Sequence, residues 1–215
     1  MEASPREMRV IAASIVAALV PAWETNRCGD GKSSASDLKA QSVAQSSESD
    51  PLLEELMGLM RRRLLLMHDV ARAKWNAKKP IADVGREKIM VRELAEKGRA
   101  LRMEPEFTSD FFGAQIEASR LLQMEDLRRW KAERQGPFAN APDLNRDLRP
   151  RIDTLNEKLV AVLAKARQDL QGREVLVRRI AAKSLEGEGI TAEIRDKAIR
   201  PLIGKTSKSE KHQRN

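Results

Sequence analysis

Two cations lie on the apolar face of the first predicted helix. In the stretch 61–75, RRRLLLMHDVARAKW, Arg63 and Lys74 are eleven residues apart, and eleven steps of about 100° return a helix almost to its starting face. The same face carries an apolar stripe formed by Leu52, Leu56, Leu59, Met67 and Val70. Both cations are therefore predicted to point into the core. A single long basic side chain can reach water from a boundary position, but several polar residues on apolar faces indicate a bound anion.

Neutral hydrogen-bonding residues recur in the same way on another predicted helix. Ser119 and Gln123 are four residues apart and so share a face. They fill the gaps in an apolar ladder formed by Phe112, Ile116 and Leu127. Arg86, in the segment DVGRE, lies in the first turn of the helix between them, where the helix dipole disfavours a cation. Because an arginine fork binds a carboxylate through two parallel hydrogen bonds, the set predicts an anion enclosed by cations and neutral donors.

Six helices would position these residues. Strand formers are sparse and Tyr is absent, whereas hydrophobic residues make up 41% of the chain and charged residues 33%; this composition favours helices. Capping residues and helix breakers place the helices at about 51–77, 84–103, 104–134, 150–171, 173–186 and 190–202. Asp50 and Asp83 are predicted to cap the first two. The fold class is therefore all-α, a bundle of about six helices.

The first 22 residues have the layout of a secretory signal peptide. Arg6 and Arg9 precede an apolar run over residues 10–20, and small residues lead to a cleavage point after Ala22. The run is too short to span a bilayer, and a frayed apolar N-terminal helix is the alternative. Cleavage would leave a periplasmic or secreted protein without membrane attachment.

Two further segments are polar and lie outside the predicted bundle. Residues 23–50 are predicted to form a Ser-rich linker, and residues 204–215 a basic tail. Cys28 is the one cysteine of the chain, so no disulfide can form within it.

The net charge of +8 and the isoelectric point near 9.8 leave two classes of ligand open. A nucleic acid or another polyanion would suit a basic chain, but few aromatic residues are present to stack on bases, and the basic residues are not gathered on one helix face. A small anion fits the pattern better. The only histidines are His68 and His212, and the sequence shows neither a nucleophile–base pairing nor a cluster of metal ligands.

The spacing of the polar residues resembles a known family. Spacings through DVARAKWNAKKPIADVGRE and FFGAQIEASRLLQ match it without a gap, at Arg63, Lys74, Asp83, Arg86, Glu87, Ser119 and Gln123. Over about 52–134 the chain resembles the all-helical class of chorismate mutases, and the signal peptide and later helices resemble its exported subclass. The resemblance implies a mutase core over 51–135, formed by the first three helices, and a helical extension over 136–203 that completes the site.

The resemblance implies how a dianionic substrate would be held. Arg63 and Arg86 would bind substrate carboxylate, with Ser119 assisting. In exported relatives a further carboxylate contact comes from the added helices of the same chain, and here it falls on Arg149. Two neighbours remain alternatives for that contact, namely Arg146 and Arg151. The cations on the apolar face of the first helix, Arg63 and Lys74, would be unpaired only while the site is empty.

The reaction implied by the resemblance is the Claisen rearrangement of chorismate to prephenate, without cofactor or metal. Lys74 and Gln123 would donate hydrogen bonds to the ether oxygen of the breaking bond. Glu87, with the backbone near Asp83, would bind the ring hydroxyl. The catalytic residues would thus be Lys74, Gln123 and Arg86.

The expected partners are the substrate chorismate and a second copy of the chain in a homodimer, with no nucleic acid. Two alternatives remain: a basic helical module that binds nucleic acid or another polyanion, and a mutase-like exported interaction protein that has lost activity.

Overall fold

The computed structural model describes residues 50–204. The predicted signal peptide, the linker before Asp50 and the tail after Gly204 lie outside the described residues. Between these limits the chain contains six α-helices and no strand, which confirms the predicted all-α class. The helices are α1 Pro51–Asn76, α2 Val84–Ala100, α3 Pro105–Ala132, α4 Arg149–Ala166, α5 Glu174–Ser184 and α6 Ala192–Ile199.

The first two helices begin at the predicted caps. The Asp50 carboxylate accepts hydrogen bonds from the backbone N–H groups of Leu52 and Leu53, both at 3.0 Å. The Asp83 carboxylate accepts one from the N–H of Arg86 at 3.3 Å. Each cap satisfies donors that have no partner within the helix, so the sequence fixes where α1 and α2 start.

The carboxyl ends of α2 and α4 differ from the ends predicted from the sequence. α2 ends at Ala100, not at 103, because Arg102 adopts a left-handed backbone with φ of 63° and the N–H of Met103 bonds back to the carbonyl of Gly98 at 2.9 Å. α4 ends at Ala166 and continues as a 3₁₀ turn, Arg167–Asp169. A second 3₁₀ turn, Arg200–Ile203, follows α6.

A one-turn π-helix, Leu144–Leu148, precedes α4 where the sequence predicts only a turn-rich connection. The Asp143 carboxylate accepts from the N–H groups of Asn145 and Arg146, at 2.8 and 2.6 Å. The wider turn is closed by the N–H of Leu148, which donates to the carbonyl of Asp143 at 3.1 Å. This turn leads directly into Arg149, the first residue of α4.

α1 is the central helix of the bundle. It packs against α3, α4 and α5, while α2 packs against α3 and α4, and α6 packs against α3. The buried apolar side chains of all six helices form one hydrophobic cluster, whose largest fully buried members include Phe111, Phe112, Leu56, Leu64, Leu122 and Leu163. Helices from the predicted extension therefore share a core with the first three. No described helix is both long enough and apolar enough to cross a membrane.

The connection after α3 is fastened to the carboxyl end of α1. The side-chain amide of Asn76 donates to the carbonyl of Phe138 and accepts from its N–H, both at 2.8 Å. Trp130 packs edge-on against Trp75 and Phe138, with ring centroids 5.9 and 4.7 Å apart. These contacts order the chain beside Lys74, the last basic residue of α1.

His68 fastens the connection between α5 and α6 to α1 and α3. Its Nδ1 lies 2.6 Å from a carboxylate oxygen of the buried Asp126, and its Nε2 lies 3.0 Å from the carbonyl of Glu188. Arg129 also pairs with Asp126, at 3.1 Å. Gly189 follows with φ of 70°, and a Cβ there would meet the imidazole at 3.1 Å, so glycine lets the loop approach the ring.

This contact predicts a pH-dependent contribution to stability. The hydrogen bond to Asp126 raises the pKa of His68 above 6.5, against the opposing effect of burial. A raised pKa in the folded state means that protonation favours folding; the contribution is complete below about pH 6.5, the unfolded value, and is lost as pH rises through the folded pKa. We expect H68Q to lower the free energy of unfolding by about 1.5–3 kcal/mol at pH 5.5 and by less at pH 8.5. Urea unfolding of both proteins at the two pH values measures this; an equal loss at both would contradict it.

Candidate functional site

Arg63 and Lys74 are buried in the core, as the apolar stripe predicts. Only 3% of Arg63 and 8% of Lys74 is exposed, and most of the apolar stripe on α1 is buried as well. Ser119 and Gln123 on α3 are also buried, each 4% exposed. Charged groups of this kind are rarely buried without partners, so their contacts decide what the site can bind.

Neutral groups hold the guanidinium of Arg63. Its Nε donates to Oδ1 of Asn156 on α4 at 2.9 Å, and its Nη1 donates to Oγ of Ser119 at 2.7 Å and to the carbonyl of Gln115 at 3.3 Å. The other amino group, Nη2, makes no hydrogen bond within residues 50–204. The arginine is thus fixed in direction, but no carboxylate of the described chain pairs with it.

Burial lowers the pKa of Arg63 to about 10, although the charges of Glu87 and Asp153 oppose this effect. Arg63 therefore stays protonated at neutral pH in a largely dry environment. A buried cation without a directly paired carboxylate attracts an anion more strongly than a cation in water does, because the surrounding dielectric constant is lower.

Lys74 lies where α1 ends and the loop to α2 returns. Its Nζ donates to the carbonyl of Ile81 in that loop. Burial lowers the pKa of Lys74 below 10.5, while the charges of Glu87 and Asp83 raise it. Lys74 therefore shares the electrostatic environment of the start of α2.

Ser119 and Gln123 form a short chain of hydrogen bonds along α3. The hydroxyl of Ser119 donates to the carbonyl of Gln115 at 2.6 Å, and Nε2 of Gln123 donates to the carbonyl of Ser119 at 3.0 Å. The amide nitrogen also lies 3.7 Å from the sulfur of Met67. Oε1 of Gln123 is buried without a partner in the described structure. A buried amide with unused capacity is costly unless a ligand or water completes it.

Arg86 and Arg149 are paired with carboxylates of the chain itself. Nη2 of Arg86 lies 3.0 and 3.1 Å from the two carboxylate oxygens of Asp153 on α4, and Nη2 of Arg149 lies 3.0 Å from Asp83. Both arginines therefore already hold a carboxylate of the chain, because α4 carries both an arginine and an aspartate to the start of α2. Both pairs are partly exposed, and such pairs contribute little to stability.

Glu87 is paired with an arginine that the sequence did not single out. Arg120, the residue after Ser119, donates to Glu87 through Nη2 and through Nε, the latter at 3.3 Å. The N–H of Asp83 also points at Glu87, at 3.4 Å. Both members of the Glu87–Arg120 pair line a surface cleft of about 560 Å³ between α2 and α3.

Of the three arginines proposed for the last carboxylate contact, only Arg149 lies against a residue of the predicted site. Arg146 is exposed and pairs with its neighbour Asp147, and Arg151 is exposed. The structure thus brings together side chains from α1, α2, α3 and the start of α4 around two buried cations, Arg63 and Lys74.

Four residues around this site were missed: Gln115, Arg120, Asp153 and Asn156. Asn156 had a usable signal, because it follows Arg149 by seven residues and so lies on the same face of α4. Across residues 50–204 no three His, Cys, Asp or Glu side chains are grouped as a metal site would require. The cations and neutral donors suit a small anion with more than one carboxylate.

Comparisons with known proteins agree with this chemistry. Residues 47–124 match the family model described as chorismate mutase type II. The chain is 30% identical over 109 residues to a protein from Mycobacterium tuberculosis named secreted chorismate mutase, in an alignment that covers 51% of this chain and 54% of that protein. The chain therefore spans about half the length of that curated relative.

Solved structures share the fold. The crystal structure of chorismate mutase from Burkholderia thailandensis superposes with a TM-score of 0.66 at 29% identity, covering 71% of this chain and 99% of that one. That of a secreted chorismate mutase from Yersinia pestis superposes with a TM-score of 0.59 at 19% identity, covering 69% and 94%; this second likeness concerns the fold alone. The family match ends before Arg149 and Asn156.

Proposed function

We propose that this chain, whose residues 47–124 carry a chorismate mutase type II domain, is an isomerase that converts chorismate to prephenate. The observation that carries the proposal is the buried and protonated Arg63, fixed by neutral partners only. A dianionic substrate would supply the carboxylate partner that no residue of the described chain provides for Arg63. The extended likeness to a chorismate mutase structure at 29% identity supports the same activity.

The rearrangement takes place within one molecule. The ether C–O bond breaks while a C–C bond forms, and no proton is transferred. The enzyme must therefore hold the compact, reactive conformer and stabilise charge as it moves. Arg63, with the Ser119 hydroxyl beside it, binds one carboxylate; Arg86 and Arg149 bind substrate carboxylate by exchanging their internal partners for it.

Lys74 and Gln123 would act on the ether oxygen. Negative charge grows there as the C–O bond breaks, and prearranged donors stabilise it most in a site that excludes water. In the described structure each donates to a backbone carbonyl, Lys74 to Ile81 and Gln123 to Ser119. Lys74 has three protons to donate and so retains capacity for the substrate. The second proton of Gln123 faces the sulfur of Met67 at 3.7 Å, a weak acceptor that a substrate oxygen can replace. Glu87 and the N–H of Asp83 would hold the ring hydroxyl.

The direct test measures the rate at which chorismate absorbance falls when purified protein is added, and compares the wild-type protein with R63A. Turnover by the wild-type protein and weak capture by R63A are expected. Wild-type protein without turnover would contradict the proposal and favour the inactive interaction protein. The polyanion module is less well supported, because surface arginines such as Arg99, Arg128 and Arg178 are paired with glutamates on their own helices.

Export belongs to the same proposal. The predicted signal peptide and the secreted relative both support a periplasmic or secreted enzyme. We expect protein recovered from the native host to begin near Trp23, which N-terminal sequencing measures; an intact Met1 in the mature protein would contradict export.

Arg149 provides a test of whether the site closes within one chain. We expect R149A to raise the KM for chorismate about 10-fold or more, because a charge-assisted hydrogen bond is worth about 1.5–3 kcal/mol. At a chorismate concentration well below the KM of R149A, a mixture of R149A and K74A should show no more activity than R149A alone, even if the protein is a dimer. The matched control is R151A, which removes an exposed arginine two residues away and should leave KM unchanged. Recovered activity in the mixture would show that subunits share sites.

A further inference from the structure

Asn156 is a buried side chain of α4 to which neither the family match nor the resemblance assigns a role. Only 2% of it is exposed. Its Oδ1 accepts from Nε of Arg63 at 2.9 Å, and its Nδ2 faces the sulfur of Met90 on α2 at 3.2 Å. The arginine can only donate, which fixes which end of the amide faces it. One side chain thus links α4 to both α1 and α2 at the buried cation.

The partner of Arg63 is neutral, whereas the partners of the other site arginines are charged. Arg86 and Arg149 are partly exposed, and both contact aspartates. At those positions water weakens an internal ion pair, so a substrate carboxylate can replace it. A carboxylate beside the buried Arg63 would be far harder to displace, because the surroundings screen the attraction much less.

We propose that Asn156 is a positioning residue that aims the Arg63 guanidinium at the substrate carboxylate without neutralising its charge. The inference rests on the proposed function and adds a residue of the extension to the binding site. With Nε occupied by Asn156 and Nη1 by Ser119, the direction of Nη2 is fixed before the substrate arrives. The affinity for substrate then depends on Asn156 in two ways. Its amide oxygen sets the direction of the Arg63 guanidinium, and its lack of charge leaves the full attraction of Arg63 for the substrate carboxylate.

The test compares three variants with the wild-type protein for kcat, KM and melting temperature. N156D keeps the accepting oxygen and shape but adds a charge, and N156A removes the support. Q168E, the matched control, makes the same amide-to-acid change at an exposed residue of the extension. We expect N156D to raise the KM for chorismate about 10-fold or more and to change kcat less, with a melting temperature equal to or above that of the wild type. N156A should raise KM by a smaller factor, and Q168E should alter neither constant.

The melting temperature separates positioning from a structural role. A merely structural asparagine would give KM and stability changes that run in parallel, whereas N156D is expected to bind substrate worse without being less stable. A KM within twofold of the wild type in N156D, or an equal rise in Q168E, would overturn the inference alone. If N156D fails to fold, N156A decides in its place, and an unchanged KM there overturns the inference. Absence of turnover by the wild-type protein would overturn the proposed function and, with it, the inference.

Discussion

K74A is expected to lower kcat by about 10²-fold or more, because the variant loses the charged donor to the ether oxygen. The loss of one prearranged donor to a developing oxyanion costs about 3–4 kcal/mol in other enzymes, and Lys74 is charged as well as buried. The fold should persist, because Lys74 makes one side-chain hydrogen bond in the described structure, to the carbonyl of Ile81. Steady-state kinetics together with a melting curve measure both effects.

K79A is the matched control for this variant. Lys79 is exposed and lies five residues after Lys74, beyond the end of α1, so its removal changes the net charge equally but leaves the site intact. Normal turnover by K74A would show that Lys74 is not the donor to the ether oxygen.

The wild-type protein should also show the titration of Lys74. Because burial lowers the pKa of Lys74, wild-type activity should decline on the alkaline side at a pH below 10.5, as the ammonium loses its proton.

The periodic features of the chain were predictable from the sequence. Helical spacing placed Arg63 and Lys74 on the buried face of α1, and both are buried. Asp50 and Asp83 cap the helices that they were predicted to cap. These features depend on residues within a few turns of one another, for which the geometry of a helix fixes the outcome.

The partners of the site residues were not predictable in the same way. Asn156 reaches Arg63 across 93 positions of sequence, and Asp153 reaches Arg86 across 67. Both contacts depend on how α4 packs against α1 and α2, and periodicity within one helix contains no information about that packing. The sequence therefore indicated an anion site and its cations, while the structure showed which cations already hold carboxylates and which do not.

Q123E is expected to convert a nearly flat pH–rate profile into one that falls as pH rises. The wild-type amide donates at any pH because it does not ionise, so activity should vary little between about pH 5 and 8, where lysine and arginine remain charged. A glutamate at this position can donate only when protonated. Once ionised, it would face the negative charge that grows on the ether oxygen and oppose the reaction.

The surroundings of Gln123 favour the protonated form of that glutamate. The side chain is 4% exposed, and its nitrogen now donates to the carbonyl of Ser119 at 3.0 Å. A carboxylate oxygen there would face another acceptor, whereas a carboxylic acid could still donate to it. Burial and this hydrogen bond both raise the pKa of the new group above the reference value of about 4.3, and the charge of Lys74 opposes them. Activity should therefore be retained near pH 5 and lost by about 10-fold or more at pH 8.

Q123M is the control that separates charge from the loss of a donor. Methionine has a similar length, cannot ionise and cannot donate, so its activity should be low and independent of pH. Measuring kcat for wild type, Q123E and Q123M from pH 5 to 8 distinguishes the three cases. A Q123E variant as active at pH 8 as the wild-type protein would remove Gln123 from the mechanism and leave Lys74 as the only proposed donor to the ether oxygen.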